Sequence, residues 1–300
     1  MSLKERVFPP LNKAPRTGIL PPVPSSDRFP KIIHQVFFGN DSRLPEELRA
    51  NVERIRAMNP GWEHRLYDDA AMSRFVQDHY PPRVFAYFDR IDPQYGAARA
   101  DFFRYLVVYR CGGIYFDIKS TTTRPLDEVV GPDDRYLLAR WRNKPGEPFE
   151  GWGIHYELPS LADGEFQQWH VAGVAGHPFL RAVIENILRN IERYNPVVHG
   201  TGKRGVLRVT GPIAYTLAIT PLLNLHPFRL VDAQEDLGLQ YTIYRDYQHK
   251  TLFKNHYSNL TIPVVRLGLA QAASARVARG IKRLSRRRDA ADAPGVQGRA

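Results

Sequence analysis

The sequence predicts an α/β protein whose core is a mostly parallel sheet flanked by helices. Three observations carry that expectation. The chain has 300 residues, 43% hydrophobic and 11% aromatic, enough for one large core. Phe29 opens an apolar, β-rich run, FPKIIHQVFFG, and a helical stripe and a second strand follow it in β-α-β order. Between Ala97 and Asp127 (AARADFFRYLVVYRCGGIYFDIKSTTTRPLD), a helix, a glycine stop and a short β-branched strand stand next to one another.

Taken in order, residues 1–27 hold Pro9, Pro10, Pro15, Pro21, Pro22 and Pro24 with little periodicity and read as an extended arm along the body. The first strand stops at Gly39 and Asn40, so Phe37 to Gly39 should face the ligand side. Pro45 begins a helix with Leu48, Val52 and Ile55 on its core stripe, closed by Asn59 and Pro60, and His64 to Asp68 reads as the second strand. Ala70 to Tyr80 is a helix stopped by Pro81 and Pro82, and Val84 to Ile91 a short apolar segment.

In the next helix Asp101 and Arg104, three apart, share a face with Ala97 and Val108, while Phe102, Leu106 and Tyr109 form an apolar face. Gly112 and Gly113 end it, and Ile114 to Ile118 forms a strand that carries Asp117 near its carboxyl end. Ligands of open α/β sheets bind at strand carboxyl ends, so an anionic, polar ligand is expected beside Asp101, Arg104 and Asp117. The competing reading is an i,i+3 ion pair worth about 0.2–0.5 kcal/mol and an Asp in a turn.

Arg135 to Trp141 reads as a strand, followed by the loop Arg142 to Glu165, whose Trp152, His155 and Tyr156 either stack on a sugar ring or pack the loop onto the core. Trp169 to Ala175 is a buried strand, and Pro178 starts a helix with Leu180, Ile184, Ile187 and Ile191 on one face. GVLRVTGP (Gly205 to Pro212) sets Thr210, Gly211 and Pro212 at the mouth of a helix Ile213 to Thr220, as an anion site or a simple cap. Phe228 to Val231 is a further strand, and Lys254 to Asn259 (KNHYSN) a polar cluster before IPVV.

Several function classes drop out. The single Cys111 forms no internal disulfide and no multi-cysteine zinc site, and its place in an apolar helix turn suits the core rather than nucleophilic work. No GxxxxGK[ST], GxSxG or HExxH occurs. No run approaches the roughly 18 apolar residues of a spanning helix, and the first residues hold no apolar signal core, so a cytoplasmic location is expected. Residues 266–300 hold nine Lys or Arg against Asp289 and Asp292, so +7 of the net +11 lies there and +4 elsewhere. That distribution argues for a basic appendage rather than a nucleic-acid-binding body. Ala270, Ala273, Val277, Ile281 and Leu284 fall on one helical stripe beside Arg276, Arg279, Lys282 and Arg283. Either the tail is a solvated one, or residues 266–288 lie on an anionic membrane and make the protein peripheral on the cytoplasmic face; the rival reading from another class is a nucleic-acid- or membrane-binding protein that acts through this tail.

FPKIIHQVFFG, NPGWEHRLYDD, ARADFFRYLVVYRCGGIYFDIK with RPLD behind it, and VTGP, in this order from about Phe29 to Asn259, resemble glycosyltransferase family 32, the sugar-binding-region DXD family, and more distantly the glucosylating bacterial toxins. The resemblance implies a GT-A fold, a Rossmann-like sheet occupying residues 28–265. It also implies transfer of a hexose from a UDP- or GDP-linked sugar to a glycan or lipid-linked acceptor in surface polysaccharide synthesis, with retention. By the resemblance Phe37 meets the nucleotide base, Asp101 and Arg104 the donor sugar and phosphate, Tyr115 the nucleotide, and Asp117, the first acid of the motif, the ribose and sugar. His256 then lies near the diphosphate. The family's second acid, which ligates Mn2+ or Mg2+, is replaced by Lys119, which leaves Asp117 as the one carboxylate for a metal and points either to weak metal dependence or to a non-catalytic nucleotide-sugar binder. Alanine at Asp101, Arg104 or Asp117 is expected to abolish transfer with the thermal midpoint near wild type, if none supports the core.

Overall fold

The computed structural model describes residues 10–12, 17–38, 44–244 and 257–291, with side chains as far as residue 284. Its strands are β1 (Ile32–Val36), β2 (Glu63–Tyr67), β3 (Gly113–Phe116), β4 (Thr121–Thr122), β5 (Tyr136–Ala139), β6 (His170–Gly173), β7 (Arg229–Val231) and β8 (Leu239–Gln240). Six of them form one sheet in the order β2-β1-β3-β6-β5-β7, and β4 pairs with β8 in a separate ribbon. β2, β1 and β3 are parallel, β6 runs against both β3 and β5, and β7 is parallel to β5. The sheet is therefore mostly parallel, with one reversed strand. β5 leads into the long loop rather than into a crossover helix, and without a crossover the returning chain pairs antiparallel. That return carries Gln168 and Trp169 past the end of β3, where Asp117 N donates to Trp169 O at 3.0 Å.

Both sheet faces are covered, and alternation along the strands sorts the side chains. Tyr115, Leu138 and Val171 join one core, while Ile114, Phe116, Leu137 and Ala172 join the other with Trp62, Leu126, Trp141 and Trp169. The larger core surrounds α4 (Gly96–Cys111), which follows α1 (Glu46–Met58), α2 (Asp69–His79) and α3 (Pro82–Arg90). Val84 to Ile91 is thus largely helical rather than a loose segment: Pro82 sits in the first turn, and Val84, Tyr87 and Phe88 supply an i, i+3, i+4 buried stripe. The two-faced expectation for α4 is also corrected. Every residue from Ala98 to Tyr109 is buried, because the helix is packed all round, against α6 (Pro178–Arg193) among others. Asp101 and Arg104 therefore lie inside the protein. Gly112 and Gly113 end the helix at φ +68° and +94°, and a Cβ at Gly113 would stand 2.4 Å from Ile32 O, so only glycine lets β3 lie against β1 here.

The remaining helices are α5 (Leu126–Val129), α7 (Pro196–His199), α8 (Gly202–Val209), α9 (Pro212–Ile219) and α10 (Leu269–Ala291). The sequence read GVLRVTGP only as the lead-in to a helix. Most of it is instead helix α8, broken at Thr210 and Gly211 before Pro212 restarts the chain as α9. The proline-rich arm touches the body through Tyr109, whose hydroxyl donates to Pro21 O at 3.3 Å, and through Leu20, which is buried. Cys111 is half-buried beside Arg65, and burial pushes its thiol pKa up. No helix among the described residues is long and apolar enough to cross a membrane.

Candidate active site at the carboxyl end of β3

Arg104 projects from α4 beneath the end of β3 and uses all five of its N–H donors. Nε donates to Ala100 O at 3.4 Å and Nη1 to both Gln168 O and Gln168 Oε1. Nη2 lies 3.1 Å from Asp101 Oδ1 and 3.1 Å from Asp117 Oδ1. The guanidinium also lies under the Tyr115 ring, 4.7 Å from its centroid, and the Tyr115 hydroxyl donates to Asp117 Oδ1 at 3.3 Å. Burial works against the Arg104 charge, yet Tyr115, Asp117 and Asp101 outweigh it and hold its pKa up. The i,i+3 reading of Asp101 and Arg104 is thus correct as geometry but not as a surface pair, since both are buried.

Asp101 accepts from Gln168 Nε2 at 3.1 Å through Oδ1 and from the Thr210 hydroxyl at 3.1 Å through Oδ2. Burial pushes its pKa up, and Arg104 pulls it down less strongly. Tyr105 ties the other side, donating toward Gln168 Oε1 at 3.0 Å and Thr210 O at 3.1 Å. Thr210 is therefore neither an anion site nor a plain helix cap: the α8–α9 break turns its hydroxyl onto Asp101. Asp117 differs from Asp101 because its side chain is 25% exposed, and among the described residues its Oδ2 carries no hydrogen bond. One acidic oxygen is left for a ligand.

Lys119 stands two residues beyond Asp117, with its Nζ 3.9 Å above the centre of the Tyr241 ring. Tyr241 in turn leans on Trp169, with centroids 5.6 Å apart. Burial pushes the Lys119 ammonium down to about 8, Asp117 pulls it up and Arg104 pushes it further down. It has no carboxylate within ion-pair distance among the described residues, so this cation, unlike Arg104, has N–H groups to offer a phosphate. Arg104 is expected from the family resemblance to hold donor phosphate. Within the protein its donors are engaged by Ala100, Gln168, Asp101 and Asp117, so it also ties the two carboxylates together.

Among the described residues Asp101 and Asp117 leave a divalent metal one uncommitted carboxylate oxygen, Asp117 Oδ2. Three of the four carboxylate oxygens of Asp101 and Asp117 are hydrogen-bonded, and a lysine cation stands where a second acid would be needed. The described residues contain no group of three or more His, Cys, Asp or Glu that could surround an ion.

Phe37 follows β1 on the same side and packs against the cluster of Leu44, Leu48, Val52 and Ile118, one residue from Asp117. His256 lies outside the described residues. The loop aromatics divide. Trp152 packs against Trp141 (5.2 Å) and Tyr241 (5.9 Å), and His155 bonds Glu165 at 2.6 Å, whereas Tyr156 is 72% exposed. Sequence reasoning missed Gln168, Tyr241 and Tyr257. Burial pushes the Tyr257 hydroxyl pKa up, and Asp101, Tyr241 and Asp117 raise it further. Gln168 carried no usable signal beyond being a polar residue at the mouth of a buried strand.

Residues 45–137 match the family model described as the glycosyltransferase sugar-binding region containing the DXD motif. The chain is 28% identical over 219 residues to the initiation-specific alpha-1,6-mannosyltransferase of Candida albicans, covering 68% of this chain and 55% of that protein. It is 29% identical over 181 residues to inositol phosphoceramide mannosyltransferase 3 of Schizosaccharomyces pombe, covering 59% of this chain and 43% of that one. The chain thus spans about half the length of these relatives. Among solved structures it resembles the PaToxG glycosyltransferase, at 17% identity with a TM-score of 0.47, over 87% of this chain and 89% of that one.

Proposed function

We propose that this chain, which matches the model of the DXD-containing sugar-binding region over residues 45–137 and resembles mannosyltransferases, is a glycosyltransferase that moves a hexose from a nucleoside diphosphate sugar to a hydroxyl of a glycan or lipid-linked acceptor. The relatives named above transfer mannose, which makes mannosyl donors with GDP or UDP the first to try. The observation that carries the reading is the pairing, at the carboxyl end of β3, of an acidic oxygen, Asp117 Oδ2, and a cation, Lys119, that have no hydrogen-bond or ion-pair partner among the described residues. A sugar or ribose hydroxyl donates to the first and the diphosphate accepts from the second.

In the transfer, the bond between the anomeric carbon and the diphosphate oxygen breaks and a bond from that carbon to the acceptor oxygen forms. Positive charge grows on the sugar and negative charge on the departing phosphate, which Lys119 stabilises. Asp101 is hydrogen-bonded through both oxygens and Asp117 holds a donor hydroxyl, so neither is free to take the acceptor's proton. The departing phosphate then receives it, which supports transfer on the face that the leaving group vacates and retention of configuration. A donor screen scored by released nucleoside diphosphate tests the reading. Release with a hexosyl donor is expected, and donor binding without release from any of them would favour a non-catalytic binder.

The Lys119 charge sets a pH limit. Its pKa of about 8 in the folded protein lies below its ordinary 10.5, so the ammonium is present below about pH 8 and lost as pH rises through it. kcat/KM, which reports the free enzyme, should fall through an alkaline limb near pH 8, and Lys119→Arg should move that limb above pH ~10 because guanidinium stays charged. The same depressed pKa means that the burial cost of this charge is present below about pH 8 and is relieved towards 10.5. An alkaline limb unchanged by Lys119→Arg would assign the titration to another group.

A further inference from the structure

We propose that Tyr241 is the residue that positions Lys119, so that the donor diphosphate meets a lysine held in place by an aromatic ring rather than by a carboxylate. The inference rests on the donor site proposed above and adds to it a residue from a distant part of the chain. The β4–β8 ribbon brings the two together, with Thr121 paired to Gln240 and Thr122 to Leu239. The pairing runs on beyond the strands, where the Ser120 hydroxyl donates to Tyr241 O at 2.8 Å and Ile243 N to Lys119 O at 2.8 Å. At the other end Thr123 N donates to Gly238 O at 2.8 Å. Helix α1 ties the ribbon to the body, Asn51 Nδ2 donating to Ser120 O and Arg54 Nη1 to Thr122 O, both at 2.9 Å. The backbone on either side of the contact is thus fixed.

The ring is fixed as well. Trp141, Trp152 and Trp169 meet Tyr241 edge to face, with centroids 5.4, 5.9 and 5.6 Å away. Trp169 also carries the carbonyl that accepts from Asp117 N, so one wall supports both the ring and the strand-end acid. Lys119 Nζ stands 3.9 Å from the centre of the Tyr241 ring. A lysine has a long, flexible stem, and holding its head at one point needs a partner. A carboxylate partner would offset the charge that the diphosphate requires. The negative face of a ring attracts the ammonium and leaves its N–H groups for a phosphate.

The test is calorimetric binding of GDP and of UDP to wild type, Tyr241→Phe, Tyr241→Leu, Lys119→Met and the Lys119→Met, Tyr241→Leu double variant. Tyr241→Leu should weaken binding about tenfold, whereas Tyr241→Phe, which keeps the ring face, should stay within about twofold of wild type. In the Lys119→Met background Tyr241→Leu should change the affinity by less than about twofold, since the ring then has no cation to hold. Equal weakening by Tyr241→Leu in both backgrounds, or wild-type affinity in Tyr241→Leu, overturns the role of Tyr241 and leaves the donor site standing. Lys119→Met binding as tightly as wild type, or no binding of either diphosphate by wild type, removes the donor reading and this proposal with it. Mono-, di- and trifluorophenylalanine at position 241 keep the ring's shape while draining its face, so they give the answer even where Tyr241→Leu does not fold. Binding should weaken stepwise, by about tenfold over the series, and an affinity that fluorination leaves unchanged overturns the proposal.

Discussion

Arg104→Ala is expected to lower stability by about 3–5 kcal/mol, because it leaves two buried or part-buried carboxylates, Asp101 and Asp117, facing each other without their shared cation. For a protein of this size that corresponds to roughly 10 °C of thermal midpoint. This reverses the expectation drawn from the sequence that none of the three site residues supports the core. The variant also strands the Gln168 carbonyl, which Arg104 Nη1 satisfies, at a further cost for an unpaired buried group. Arg104→Lys should recover only part of the loss, since an ammonium offers three donors from one point where five are used in a fork. Thermal unfolding of the two variants checks this, and a midpoint for Arg104→Ala within about 2 °C of wild type would mean that the guanidinium is not the internal tie described.

Asp117→Ala should have the opposite profile. Its side chain is 25% exposed and leaves Arg104 still paired with Asp101, so the midpoint should fall by only a few degrees. Turnover should fall by about a thousandfold or more if, as proposed, Asp117 is the charged acceptor of a donor hydroxyl at the reacting end of the site. Asp117→Asn keeps an acceptor oxygen but not the charge, and should lie between the two. Released nucleoside diphosphate per enzyme, measured beside the unfolding curve, separates the effects. Full transfer by Asp117→Ala would remove it from the site altogether.

The sequence was most legible where local chemistry decides structure. Gly112 and Gly113 ended the helix as the left-handed φ values require, and the apolar run from Phe29 became β1, an interior strand between the edge strand β2 and β3. The strand-end position of Asp117 and its nearness to Asp101 and Arg104 followed from spacing and from the rule for open sheets. What could not be read was set by chain return rather than by local pattern. The reversal of β6 brings Gln168 onto Arg104, and the α8–α9 break brings Thr210 onto Asp101, over 64 and 109 residues respectively. Periodicity also misjudged α4: a helix with Arg and Asp on one face reads as half-solvated, and only the packing of other elements over that face shows that the charges are internal. The second domain-scale feature, α10, was legible as a stripe with basic neighbours, but not which of its faces the body would cover.

The most direct test of the proposed donor site, in which Lys119 stands where the family resemblance puts a metal-binding acid, is the transfer rate in excess EDTA against added manganese, for wild type and Lys119→Asp. A unit charge at about 4 Å and an effective dielectric near 20 is worth about 4 kcal/mol before desolvation, roughly half of what a divalent ion supplies. The Lys119 ammonium, held over Tyr241 and free of any carboxylate partner among the described residues, is placed to supply that share. Wild type should therefore turn over in EDTA at a rate that manganese changes little, while Lys119→Asp should be inactive in EDTA and recover with manganese. A wild-type enzyme that is dead in EDTA and restored by manganese as fully as Lys119→Asp would contradict the account.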